Sequence, residues 1–374
     1  MRIAVITRHA ISNYGSFLQA YATQEVLEKM DHKCTIIDYV RSDEEYSNIE
    51  KTMLKQKKEW NKSVIKKIIY LVTRQPESVV SGRKFERFRN SYLKLSQRYS
   101  SSSSLEKNLP VADCYMTGSD QVWGPIGSDL FDDNYFLSFV NDDAYRISYA
   151  SSFGRTDQND EIEKYFKSLL CKYDHILVRE DSAVNRISNM GLIAKQVLDP
   201  TLLLDNDYWT DKIYKESKRH IIKGGYILIY QLHNNKVLGK YAALLAKKTG
   251  KALIRVSASM HQITREGRFI YCPNPFDFLK LIKYAECLIT DSFHGTAFAI
   301  NLNTQFIEIL PQNGTNTRNI SILNLTGLSD RILSKDNDFD LYEQKIDYSE
   351  VNAVLNRERE KSRNILKDCL KKKE

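Results

Sequence analysis

Residues Glu286–Leu310 read ECLITDSFHGTAFAINLNTQFIEIL. The short apolar run Glu286–Thr290 predicts a buried strand, Gly295–Leu302 an apolar helix, and Gln305–Leu310 a second strand. Parallel neighbours need a crossover, and a helix between two strands supplies it. The same rhythm runs upstream. Gly225–Leu232 and Ala252–Val256 have strand character, while Lys236–Lys248 and Phe276–Tyr284 have helical spacing. The first of these helices stops at Gly250, and the second follows Pro273 and Pro275. An earlier series precedes Asp199-Pro200 and the polar stretch at 205–223. It offers strands at Arg2–Thr7, Lys33–Tyr39, Val111–Thr117, Arg146–Ala150, His175–Val178 and Lys195–Leu198. Its helices fall at Tyr14–Lys29, Glu161–Cys171 and Ser182–Met190. The economical architecture is α/β, with two doubly wound parallel sheets facing a cleft. The expected bounds are 1–205 and 206–345, followed by a charged C-terminal helix at 346–374.

Composition removes several classes. The chain has 374 residues, 42% hydrophobic, with only 15 Gly and 7 Pro, which excludes collagen and general disorder. No stretch of 18 apolar residues occurs, so no membrane-spanning helix is expected. Met1–Thr7 has no cleavage pattern, and no signal peptide is expected there. The six cysteines (34, 114, 171, 272, 287 and 369) form no C-x-x-C pair. Cys34, Cys171 and Cys287 lie in or beside apolar runs and are expected to be buried. The pattern suits a reducing cytoplasm and offers no zinc site.

The net charge of +8 is local. Residues 51–98 hold 14 Lys and Arg against 3 Glu, so the remainder is close to neutral. Within this block Val64, Ile65, Ile68, Ile69 and Val72 share one helical face, flanked by Lys62, Lys66 and Lys67, with Trp60 upstream. A second basic run places Phe85, Phe88, Tyr92 and Leu95 on an apolar stripe, and Ser100–Ser104 reads as a flexible return to the sheet. The block is a basic helical insertion. It either packs on its own domain with solvated lysines or rests on anionic membrane. No diffuse nucleic-acid surface is expected.

Ligands of such sheets bind beyond the carboxyl ends of strands. Asn13-Tyr14-Gly15-Ser16 opens a helix after the first strand, where free N–H groups favour anions, but lacks a dinucleotide fingerprint. Gly118-Ser119-Asp120-Gln121-Val122-Trp123 brings a carboxylate, an amide and an indole after the 111–117 strand. Trp123 there is either a sugar-stacking ring or a core residue. Arg179 ends another strand beside Glu180 and is either an anion clamp or half of an ion pair. Asp291-Ser292-Phe293-His294-Gly295-Thr296 is the strongest turn. It sets an imidazole at a helix start, with Asp291 adjacent to orient it. Arg318, in Asn316-Thr317-Arg318, precedes an apolar stretch and is a further candidate for holding a cleft anion.

Together these segments resemble the polysaccharide pyruvyl transferase family. The resemblance runs from Asn13–Ala20 through Gly118–Trp123, Ile147–Ala150 with Phe153-Gly154, Val178–Glu180 and Leu198–Leu202 to Asp291–Gly295 and Arg318. It spans about residues 1–335, without the basic block or the C-terminal tail. It implies two Rossmann-like domains similar to the GT-B glycosyltransferase fold, with the acceptor on the N-terminal side and the donor on the C-terminal side. It further implies phosphoenolpyruvate as donor, a saccharide acceptor that is lipid-linked in some settings, and no metal or organic cofactor. A cytoplasmic protein working at the inner face of the membrane follows. Where related sequences read Arg-Leu-His, this one reads Ser292-Phe293-His294. The His carries over and the Arg does not, so either the missing charge comes from elsewhere, with Arg179 and Arg318 as its sources, or the donor differs.

The chemistry then assigns roles. Protonating C3 of the enol phosphate makes C2 electrophilic, one sugar hydroxyl adds, phosphate leaves, and a second hydroxyl closes a ketal. The catalytic candidates are His294, Asp120 and Asp291. Arg179, Ser292, His294, Gly295, Thr296 and Arg318 would hold the donor. Asn13, Tyr14, Gly15, Ser119, Gln121 and Trp123 would hold the acceptor. Two other readings stay open, a nucleotide-sugar-dependent glycosyltransferase on the same architecture and a non-catalytic saccharide-binding relative.

Overall fold

The computed structural model describes every residue except 127, 128, 130, 155–159, 223, 312–315, 336 and 372–374, together with the side chains at 56 and 58. Contacts divide it into two compact units, one of residues 1–203 and 361–374 and the other of residues 204–360.

The first unit contains strands β1 (Arg2–Ile6), β2 (Lys33–Tyr39), β3 (Leu95–Tyr99), β4 (Cys114–Thr117), β5 (Arg146–Ser148), β6 (Ile176–Val178) and β7 (Ala194–Gln196). Five of them form a parallel sheet in the order β3-β2-β1-β4-β5. β6 and β7 pair with each other, and parallel bridges from Ile147 to His175 and Ser151 to Val178 continue the sheet through β5. Its helices are α1 (Tyr14–Lys29), α2 (Ile49–Gln56), α3 (Lys58–Asn61), α4 (Val64–Tyr92), α5 (Ser102–Lys107), α6 (Asp160–Leu170), α7 (Asp181–Asn189) and α8 (Pro200–Leu203). α1 begins where it does because the Asn13 side chain accepts from the N–H groups of Gly15 and Ser16.

The second unit repeats the plan. β8 (Tyr226–Tyr230), β9 (Ala252–Ser257), β10 (Arg268–Tyr271), β11 (Cys287–Thr290) and β12 (Phe306–Glu308) form a parallel sheet in the order β10-β9-β8-β11-β12. Around it run α9 (Asn206–Glu216), α10 (Lys236–Thr249), α11 (Pro275–Lys283), α12 (Phe293–Asn301), α13 (Thr317–Leu325) and α14 (Asp340–Glu343). α10 ends at Gly250 with φ +66°, a left-handed cap that glycine adopts without strain. α15 (Tyr348–Cys369) passes from the second unit into the first, and the last three positions of the helix expected at 346–374 lie outside the described residues.

Both sheets are the α/β kind that the alternation predicts. Several local expectations change. The basic block is not helical to residue 98, because its last residues form β3, paired with β2. Its second run is core: Phe85 is fully buried against Tyr14, and Phe88 and Tyr92 meet Phe17. The serine run is not a flexible return, since Ser101 and Ser104 form a capping box that starts α5. Cys171 is exposed, at the polar end of α6, whereas Cys34 and Cys287 are buried as expected. No helix among the described residues is long and apolar enough to cross a membrane.

Candidate active site

In the first unit the carboxyl ends of β1 and β4 meet the start of α1. Gly118 ends β4 close under β1, where an added Cβ would come within 3.0 Å of Thr7 Cβ and 3.1 Å of Val5 Cγ1. The following turn puts Asp120 at φ +88°, a left-handed backbone that a non-glycine residue holds only when its surroundings compensate. They do so here. Ser16 Oγ donates to Asp120 Oδ2 at 2.5 Å, and the Gln121 N–H donates to Oδ1 at 2.8 Å. Gln121 itself lies against Gly154, whose missing Cβ would come within 2.6 Å of Gln121 Nε2. Asp120 and Gln121 therefore stand together at this strand end, with Asn13 three residues before Ser16. Asn13 is partly exposed, although its side chain also caps α1.

The other acceptor candidates are structural. Trp123 is fully buried, stacked on Phe136 at 5.6 Å between ring centres, and its Nε1–H donates to the Tyr135 carbonyl. Tyr14 is buried on Phe85, and the Gly15 N–H is used by the Asn13 cap. Ser119 is fully buried and donates to Asp199 Oδ2 at 2.8 Å. Arg179 belongs to the same buried network. Its Nη1 donates to Asp199 Oδ2 at 3.0 Å, and Thr201 satisfies the second oxygen of Asp199. This buried ion pair ties β6 to the segment before α8.

Two residues near Asp120 escaped the sequence reading. Ser16 is a helix residue whose role depends on a partner 104 positions away. Arg8 directly follows β1, bonds Glu44 at 2.5 Å and is electrostatically coupled to Asp120. Its place after a strand was the available signal.

In the second unit the candidate residues stand at and just beyond the ends of β11 and β12. Asp291 does not orient His294. Its two oxygens accept the N–H groups of Leu232 at 2.7 Å and His233 at 2.9 Å, fixing the loop after β8. The His233 ring also lies near it, with Nδ1 3.4 Å from Asp291 Oδ2. Ser292 is the N-cap of α12, its Oγ accepting from the Gly295 N–H. The Thr296 N–H is used by the Ser292 carbonyl, and its hydroxyl donates to Glu308. The amides expected at Gly295 and Thr296 are thus taken up inside the helix start. Gly295 has a packing reason as well, since a Cβ would approach Thr290 Oγ1 to 2.6 Å.

What gathers around the first turn of α12 is His294, Phe293 and Arg318. His294 is nearly buried, edge-on to the Phe293 ring at 5.1 Å. Arg318, near the start of α13, lies over that ring at 5.9 Å. The two helix starts are bracketed by Glu308 at the end of β12, which accepts from Thr296 of α12 and from Asn319 Nδ2 of α13, the latter at 2.7 Å. Burial pushes the Glu308 carboxyl up to about 8, although these hydrogen bonds hold it down. Glu308 was named in the sequence only through its strand.

A family model described as polysaccharide pyruvyl transferase matches residues 13–312. No curated protein matches the sequence. Among solved structures, a Listeria monocytogenes protein assigned as a UDP-N-acetylglucosamine 2-epimerase aligns with a TM-score of 0.54 at 11% identity, over 97% of this chain and 91% of that one. The UDP-GlcNAc 2-epimerase of Neisseria meningitidis, bound to UDP-GlcNAc, aligns at 0.52 and 10% identity over 99% of both chains. That of Methanocaldococcus jannaschii aligns at 0.50 and 14%, over 98% and 99%. At such identities the likeness is one of fold, the two-domain GT-B-like architecture, and not of substrate.

Proposed function

The chain belongs to the polysaccharide pyruvyl transferase family, and from that premise we propose that it transfers the enolpyruvyl-derived group of phosphoenolpyruvate to a saccharide of a surface-polysaccharide precursor, forming a pyruvate ketal. The observation that carries this reading is Arg318 over Phe293, next to His294. Where related sequences have an arginine two residues before the histidine, this chain has Ser292. Arg318 brings a guanidinium back to the same helix start from a different element. A carboxylate and a phosphate on one small donor call for such a cation beside an imidazole.

On this reading His294 meets the donor, as the acid that protonates C3 or as a phosphate contact, and Arg318 balances the donor's negative charge. Asp120 takes the proton from the attacking sugar hydroxyl, with Gln121 and Asn13 at the acceptor. The first hydroxyl bonds to C2, phosphate departs with the C2–O pair, and the second hydroxyl closes the ketal. The acceptor is carried on a lipid, the protein works at the inner face of the membrane, and the segment at 51–98 makes the contact.

Phosphoenolpyruvate should raise the melting temperature, as a ligand of the native state does. Phosphate should be released from it only when a saccharide acceptor is present. His294→Ala should slow that release by at least about a hundredfold, the scale of a lost acid–base group. A near-normal rate in this variant would remove His294 from the mechanism. Stabilisation by uridine diphosphate and not by phosphoenolpyruvate would replace the reading with a nucleotide-sugar glycosyltransferase.

A further inference from the structure

α4 is built inside out over its first half. Tyr70 is buried, donating its hydroxyl to Glu50 of α2 and lying 5.9 Å from the Trp60 ring. The opposite face carries Val64, Ile65, Ile68, Ile69 and Val72, and all five are exposed, from 70% at Ile65 to 49% at Ile69. A soluble helix normally turns such a stripe inward. At 100° per residue the five positions span an arc of about 140°, and Lys66 and Lys67 fall about 60° beyond its two edges. Lys62 lies one turn earlier, exposed like Lys66.

We propose that this face is an in-plane docking surface for an anionic lipid bilayer. Charge decides between occupants. A second copy would press one strongly basic block against another, whereas anionic headgroups neutralise lysines on both flanks while the acyl boundary takes up the isoleucines. The arrangement also separates the basic block into two parts. Its apolar residues after Tyr70 turn inward: Phe85, Phe88 and Tyr92 pack on α1, and Arg89 Nη1 donates to the Ala10 carbonyl at 3.0 Å. One helix therefore runs from the bilayer face to the helix that supplies Ser16 to Asp120. That connection suits a lipid-carried acceptor, a consequence that rests on the acceptor role proposed for Asp120. The docking itself does not.

The full chain is sedimented with vesicles of phosphatidylcholine alone and of phosphatidylcholine with phosphatidylglycerol, with neither donor nor acceptor present. Binding should require the anionic lipid and weaken with salt. The Ile65→Glu/Ile68→Glu double variant should bind at least about tenfold more weakly, with its melting temperature unchanged because both side chains are exposed. No binding to either vesicle, or equal binding by the variant, overturns the proposal. Self-association abolished by the same double variant, without vesicle binding, overturns it in favour of a second copy. Failure in this assay leaves pyruvyl transfer to be judged by phosphate release.

Discussion

Among the described residues, Glu308 accepts hydrogen bonds from neutral groups, the Thr296 hydroxyl and the Asn319 amide. Burial raises its carboxyl from about 4.5 to about 8, so the folded protein holds this proton at pH values where the unfolded chain has lost it. A raised carboxyl contributes most stability below the unfolded value, and the contribution falls as pH rises toward the folded one. The loss across pH 5 to 8 is on the order of 4 kcal/mol at most. Glu308→Gln keeps the shape and removes the titration. Melting curves at several pH values should therefore fall more steeply for the wild type than for this variant, and parallel curves would show that the carboxyl titrates normally. Asp291 shows what a sequence hides at the same scale. It stands three residues before His294 and invites a dyad, yet its partners are the amides of a loop 58 and 59 positions earlier. β11 pairs with β8, and the loops beyond two paired strands are closer than the next helical turn. His294, by contrast, was legible as a residue at a helix start, because anion-binding positions have a local signature, while Arg318 was legible only as a cation before an apolar stretch.

Elements with a strong period were readable, and those with a mixed surface were not. The central strands β1, β4, β8 and β11 are apolar runs buried on both sides, the pattern that parallel sheets impose. The two strands left out of the sequence reading, β3 (LSQRY) and β10 (RFIY), both lie at sheet edges. Edge strands carry polar and charged side chains that discourage further pairing, which erases the signal. α4 misled for the same reason, since its apolar positions continue through both halves while only the second half is packed. This divides the helix energetically. Phe85→Ala should destabilise the protein by about 3–5 kcal/mol, the range for emptying a buried aromatic site. Ile65→Ala, on the exposed face, should change stability by less than about 0.5 kcal/mol. Denaturant midpoints measure both, and a comparable loss at Ile65 would mean that this face is covered within the folded chain.

At the scale of the whole molecule, each unit has its own parallel sheet and its own set of candidate side chains at the strand ends. Asp120, Ser16 and Gln121 belong to the first unit, and His294, Arg318 and Glu308 to the second. The net charge adds nothing to either set, because it is concentrated in the segment at 51–98. If acceptor activation and donor binding are divided between the units as proposed, their losses should separate cleanly. Asp120→Asn retains a group that can bond Ser16 but removes the base. Turnover should fall by at least about a hundredfold while the melting shift given by phosphoenolpyruvate is kept. Arg318→Ala should do the reverse in binding, abolishing most of that shift, because the cation over Phe293 is lost, and raising the apparent KM for the donor. His294→Ala is expected to lower turnover whichever of its two proposed contacts it makes, and its melting shift tells them apart. A retained shift assigns it to proton transfer, and a lost shift assigns it to phosphate. Should Asp120→Asn erase donor stabilisation as Arg318→Ala does, the division of labour between the two units is wrong and the donor is held by both.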